Sequence, residues 1–194
     1  MISTLKTERL ILRPLLLSDQ DAMVETIMSD MDVMYWLPSS DGVSTPEGQR
    51  KVALEYITEF IKSWDELGFG ILAVCSKSIE LGTPGKFIGY CGFLPEQIKG
   101  AGPEVAYAIT KSMWGKGLAT ESLIACLDWI FIKPEVSCVH AVTDKGNIAS
   151  RGVMEKIGMK YEKDVDLYDS VAKGGGLLLF YSIERENYLL KCKT

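Results

Sequence analysis

Over positions 9–15 side chains sort by alternation into two faces, Leu10, Leu12 and Pro14 on one and Ile11, Arg13 and Leu15 on the other, and predict a strand ending near Pro14. Ser18 follows as a candidate helix N-cap, with Asp19 and Asp21 in a first turn that favours negative charge. Ala22, Met23, Ile27 and Met28 supply the apolar face of that helix. An aromatic-rich stretch at 33–38 leads into a polar loop at 39–44. Thr45-Pro46 then opens a long helix, because proline at the first helical position lacks an N–H that would be unpaired there anyway. Val52, Tyr56, Phe60, Ile61 and Trp64 recur at three-to-four spacing, and Gly68 ends the helix after Leu67.

Two apolar runs, 69–76 and 87–93, read as strands joined in a hairpin, and the turn at 100–103 delivers a further strand over 104–110. A glycine-bearing turn precedes a helix over 118–132, with Ala119, Leu123, Leu127 and Ile130 on one face and Pro134 as its stop. A strand at 137–143, a short helix at 148–157 started by Asn147 and closed by Gly158, and strands at 160–166 and 177–184 complete the order. There is no internal repeat or linker. The order predicts one α/β (α+β) domain over 1–194, with a mixed, mostly antiparallel central sheet flanked by helices.

At 194 residues the chain is long enough for one core without metal or disulfide staples. A net charge of −5 argues against a nucleic-acid surface, and no apolar run is long enough to span a bilayer. The first residues lack the apolar core of a signal peptide. Cys75, Cys91, Cys126, Cys138 and Cys192 are odd in number and widely spaced, which suits free thiols in a reducing, cytoplasmic setting and offers no metal-ligand spacing.

The stretch Trp114-Gly115-Lys116-Gly117-Leu118-Ala119-Thr120-Glu121 carries the chemical signal. Glycines at the start of a helix leave approachable, unpartnered N–H groups where the helix dipole is positive, an arrangement that favours an anion. A Walker loop is excluded, since Lys116 precedes Gly117 and Leu118 follows it. A dinucleotide fingerprint fits poorly, because Thr120 stands in the third glycine's place and the turn lies past mid-chain. Taken alone, the turn is equally a plain strand-to-helix connection with glycines for packing.

The same stretch through Ser122, followed by Asn147-Ile148-Ala149-Ser150 and Glu155-Lys156-Ile157-Gly158-Met159, resembles the GNAT acetyltransferase superfamily. The opening Thr7-Glu8-Arg9-Leu10-Ile11-Leu12-Arg13-Pro14 and the closing Tyr181-Ser182-Ile183-Glu184-Arg185 are similar to its ribosomal-protein N-terminal acetyltransferase type, so the resemblance spans nearly the whole chain. It implies that Ala108, Ile109, Thr110, Trp114, Gly115, Lys116, Gly117, Leu118, Ala119, Thr120, Asn147 and Ser150 bind acetyl-CoA, with the pyrophosphate on backbone N–H groups. Trp114 stands where the general family pattern has Gln or Arg.

Acetyl transfer to an amine needs a deprotonated amine, a polarised thioester carbonyl and a stabilised thiolate. Glu104 heads its strand, and the small Ala106 and Ala108 on the same face leave room for a ligand; an exposed strand-edge carboxylate is the plainer reading. The resemblance makes Glu104 a general base, directly or through a water, and gives the oxyanion a backbone N–H around Ala108 at a splay or bulge. Asn147 and Ser150 read locally as an N-cap and a first-turn residue. By resemblance Asn147 also contacts the pantetheine arm, with Ser150 near the sulfur. Many family members carry a tyrosine acid seven residues after this Asn, where this chain has Met154, which leaves Ser150 or a water to protonate the thiolate.

His140, Cys126 and Cys138 read as structural. Met28, Met31 and Met34 read as core, or as a wall of the acceptor pocket together with the loop at 164–176. The expected activity is acetyl-CoA-dependent N-acetylation by direct transfer to a primary amine, either a protein N-terminus such as a ribosomal protein's or a small molecule. The alternative is a non-catalytic acyl-CoA-binding module. A monomer or homodimer is expected.

Overall fold

A computed structural model describes residues 4–38, 40–167 and 176–191, giving only the backbone at 40 and 41. Cys192 and most of the loop expected to wall the acceptor pocket lie outside those residues.

The strands are β1 (Leu5–Lys6), β2 (Leu10–Pro14), β3 (Ile71–Ser76), β4 (Phe87–Leu94), β5 (Glu104–Ile109), β6 (Cys138–Thr143), β7 (Lys160–Val165) and β8 (Leu178–Glu184). They form one sheet in the order β1-β2-β3-β4-β5-β6-β8-β7, and every neighbouring pair is antiparallel except β5 and β6. β3 is buried throughout and β4 almost so, because both faces of the sheet are covered. On one face lie the helices α1 (Gln20–Met23), α2 (Met31–Met34) and α3 (Pro46–Leu67), and on the other α4 (Leu118–Ile130) and α5 (Ile148–Ile157). A last helix, α6 (Arg185–Lys191), buries Tyr188 beside Phe131.

The punctuation predicted for α3 and α5 is present. Thr45 Oγ1 accepts from the Gly48 N–H at 3.1 Å, and Gly68 closes α3 in the left-handed region. Asn147 Oδ1 accepts from the Ser150 N–H at 3.0 Å, and Gly158 closes α5. Trp64 ties α3 to the sheet by donating its indole N–H to the Ile71 carbonyl at 2.8 Å.

The start of the first helix differs from expectation. Ser18 is not an N-cap; residues 17–19 form a 3₁₀ turn, and Asp19 caps it by accepting from the Leu16 N–H at 2.8 Å. Asp19 is held there by a two-point pair with Arg13 of β2, both contacts at 2.7 Å. A π-helical turn over 24–28 follows α1, where Thr26 bonds back to the Ala22 carbonyl. β1 and α6 were also not foreseen, being too short to leave a period in the sequence.

The central feature is how β5 and β6 part. Their only paired position is Glu104 opposite His140, where the His140 N–H donates to the Pro103 carbonyl at 3.1 Å. Beyond it β5 stays in register with β4, while β6 turns to β8. A wedge therefore opens in the middle of the sheet.

Candidate active site

The wedge is part of a cavity of about 800 Å³. One end is lined by residues 33 and 36–38 and by Tyr56 and Phe60 of α3. The other is lined by Gly115, Gly117 and the first turn of α4, with Asn147 and Ser150 along one side.

Backbone directions in the wedge follow from the register. Thr110 donates to the Ile88 carbonyl at 2.9 Å, so by alternation the N–H groups of Ala108 and Ala106 also point at β4. The β4–β5 register runs without a shift, so of the splay or bulge expected around Ala108 the strand has the splay, between β5 and β6. This narrows the oxyanion expectation: the Ala108 N–H belongs to the ladder, and the groups around it that turn toward the wedge are those of Tyr107 and Ile109. The Ile109 carbonyl is taken by the Trp114 indole N–H at 2.7 Å. Trp114 thus has a side-chain role at the strand edge, which sequence reasoning had left to its backbone.

The glycine turn leaves the start of α4 open. Gly115 and Gly117 both have φ of +75°, a conformation that strains any residue with a Cβ. No side chain caps α4, and its first intrahelical bond runs from the Glu121 N–H to the Gly117 carbonyl at 3.0 Å. The N–H groups of Leu118, Ala119 and Thr120 thus have no acceptor within the helix. Of the expected cofactor residues, Thr110 and Lys116 do not line the cavity. Lys116 instead gives its carbonyl to Arg9 at 3.0 Å and turns its amine to the Met113 sulfur.

Glu104 is not an exposed edge carboxylate; it is 5% exposed and lines the cavity. Its Oε2 lies 3.5 Å from Nε2 of the fully buried His140, a contact that sequence reasoning missed because the two strands meet only across the α4 crossover. Tyr107 was also missed. Its hydroxyl lies 2.9 Å from Ser150 Oγ and 3.2 Å from the Ser150 carbonyl. Burial pushes the Tyr107 hydroxyl well above its ordinary range, with the Ser150 bond opposing, so it stays protonated and able to donate.

Met154 is buried at the cavity wall, and no described cysteine lines the cavity. Cys126 is buried as expected, 3.8 Å from Cys91, whereas Cys138 is only half-buried. Met28 and Met34 are core, but Met31 is 55% exposed. Among the described residues no cluster could hold a metal ion, and no helix is long and apolar enough to cross a membrane.

Residues 9–160 match the acetyltransferase (GNAT) domain family. The chain belongs to the GNAT acetyltransferases. This GNAT chain is 31% identical to the uncharacterized protein YkkB of Bacillus subtilis (strain 168), over 83% of its own length and 87% of YkkB. It is 24% identical to the uncharacterized N-acetyltransferase p20 of Bacillus licheniformis, over 95% of its length and 98% of p20. Its fold matches the structure of RimL, a ribosomal L7/L12 α-N-protein acetyltransferase solved with coenzyme A. That match has a TM-score of 0.75 at 16% identity, covering 95% of this chain and 99% of RimL. The protein is therefore an acyltransferase with the eight-stranded GNAT sheet.

Proposed function

We propose that the protein transfers the acetyl group of acetyl-CoA directly to a primary amine. The observation that carries this reading is the wedge between β5 and β6, with a buried carboxylate at its closed end and an anion seat at its open end. The seat fits a diphosphate, since a Cβ at Gly115 would meet nothing within 4 Å and the first-turn N–H groups of α4 are unpaired within the helix. RimL, of the same fold, is a CoA complex. Acetyl-CoA bound here supplies the activated acetyl group and a thiolate leaving group.

The chain's own residues do the rest. Leu118, Ala119 and Thr120 hold the diphosphate through their N–H groups, and Asn147 contacts the pantetheine arm from the start of α5. The edge N–H groups of Tyr107 and Ile109 face the wedge and are placed to polarise the acetyl carbonyl. Glu104 takes the proton of the attacking amine. Ser150 donates a hydrogen bond to the departing sulfur, with Tyr107 holding its hydroxyl.

The acceptor end favours an ammonium. Trp36, Tyr56, Phe60 and Tyr90 line it, and Glu55 and Glu59 of α3 stand at its rim. A protein N-terminus and a small amine both satisfy that chemistry. The absence of described cysteines from the cavity wall supports direct transfer over an acetyl-enzyme.

The test is Glu104→Gln, assayed by thiol release against peptide N-termini, amino acids and polyamines. Turnover should fall by about 10²-fold or more while CoA affinity stays near wild type. Unchanged turnover removes Glu104 as the base. CoA binding by the wild type with no amine acetylated would instead make the protein a CoA-binding module.

A further inference from the structure

His140 is fully buried and is stacked on Phe180, with ring centroids 5.3 Å apart and planes 20° apart. Its Nδ1 lies 3.0 Å from the Gly102 carbonyl and 3.3 Å from the Ala101 carbonyl. Carbonyl oxygens only accept, so Nδ1 carries a hydrogen, and in the neutral ring Nε2 is left as an acceptor. The turn that presents those carbonyls depends on Gly102, whose φ is +71° and where a Cβ would sit 2.2 Å from the Cys138 carbonyl. The tautomer is thereby set by backbone.

The Nε2 atom so prepared has no hydrogen-bond partner among the described residues, and Glu104 Oε2 lies 3.5 Å from it. A buried unpaired acceptor facing a carboxylate is costly, and packing alone does not offset that cost. The arrangement becomes favourable in one state. Once the carboxylate takes up a proton, its new O–H can donate to Nε2.

We propose that His140 is a positioning residue for Glu104, accepting a hydrogen bond from the carboxyl group formed when Glu104 deprotonates the acceptor amine. This rests on the reading of Glu104 as the base. In the step, an N–H bond of the ammonium breaks, its electron pair stays on nitrogen, and an O–H bond forms on Glu104. His140 gains its bond only after the proton has moved, so it favours the transfer without tightening the ground state. The proton leaves to solvent from Glu104 after product departs. The single paired position of β5 and β6 is where this contact sits, so the sheet fixes the dyad at the closed end of the wedge.

Two isosteres separate this role from packing. His140→Asn keeps a donor to the Gly102 carbonyl and loses Nε2; His140→Gln keeps a group facing Glu104 and loses the Gly102 bond. With the amine most active in the thiol-release assay, His140→Asn should lower kcat about tenfold or more, with KM for acetyl-CoA and CoA affinity near wild type. His140→Gln should stay within a few-fold of wild-type kcat. Equal kcat for the two variants overturns the inference. Wild-type turnover in Glu104→Gln instead overturns the base assignment, so the two failures are distinguishable.

A second measurement needs no acceptor. His140 is the only histidine in the chain, so its ¹⁵N imidazole resonances are unambiguous. They should report a neutral ring protonated at Nδ1, and in Glu104→Gln the Nε2 resonance should move while Nδ1 stays. A ring carrying a hydrogen on Nε2, with or without one on Nδ1, or an Nε2 resonance indifferent to Glu104→Gln, overturns the proposal.

Discussion

Arg9 and Glu121, 112 residues apart in sequence, meet at 2.6 Å directly behind the glycine turn. Arg9 also donates its backbone N–H to Glu121 and a guanidinium N–H to the Lys116 carbonyl, and Thr7 donates its hydroxyl to the same carboxylate. The turn before β2 thus braces the glycine turn from behind. Glu121 would otherwise place an uncompensated negative charge in the first turn of α4, beside the proposed diphosphate site.

Arg9→Ala should therefore weaken CoA binding more than it lowers stability. We expect about 1 kcal/mol of folding stability lost, in line with a partly exposed pair, and roughly tenfold weaker CoA binding. Calorimetric titration with CoA, set beside a thermal melt, checks both.

The same pair sets a pH dependence. Burial pushes the Glu121 carboxyl up, but the Thr7 and Arg9 hydrogen bonds and the Arg9 charge outweigh it and hold it below its ordinary value. A depressed native value means that the ionised form stabilises the fold above the unfolded value of about 4.3, and that this contribution is lost as pH falls through the native value. The gap in melting temperature between wild type and Glu121→Gln should be constant above about pH 5 and close as pH falls below about 4. A gap that widens in acid would contradict the assignment.

Ser150 and Tyr107 should act as a unit. If Tyr107 orients the Ser150 hydroxyl, Ser150→Ala and Tyr107→Phe should each lower kcat about tenfold, and the double variant should lose little more than either. Additive losses in single-turnover rates would show that the hydroxyls act separately.

Gly117 carries a different constraint. Gly117→Ala places a Cβ on a residue with φ of +75° and should cost roughly 1–2 kcal/mol, seen as a lower melting temperature. CoA affinity should fall with it, because relaxing the strain rotates the first-turn N–H groups.

Local chemistry was legible in the sequence where it acts over a few residues. Asn147, Gly158, Thr45 and Gly68 each mark a helix end through a bond or dihedral that depends on near neighbours. The uncapped start of α4 after two left-handed glycines was readable for the same reason. Ser18 misled because the local rule for caps lost to Asp19, whose partner Arg13 arrives from β2. His140 beside Glu104, and Tyr107 beside Ser150, depend on how strands and helices distant in sequence are set together, which no periodicity encodes. Which N–H groups around Ala108 face the wedge was not legible, because alternation decides their direction and alternation needs the register.

The wedge has a consequence for the protein without its substrate. From Tyr107 to Ile109, β5 presents an interior edge with no strand beside it. Amide hydrogens along that edge should exchange with solvent deuterium faster than those on the β4 side, and slow when CoA fills the gap. The donor then acts as a missing strand, and the folded lifetime of the enzyme rises with donor concentration. Without its acyl donor such a protein would be both idle and more readily cleared.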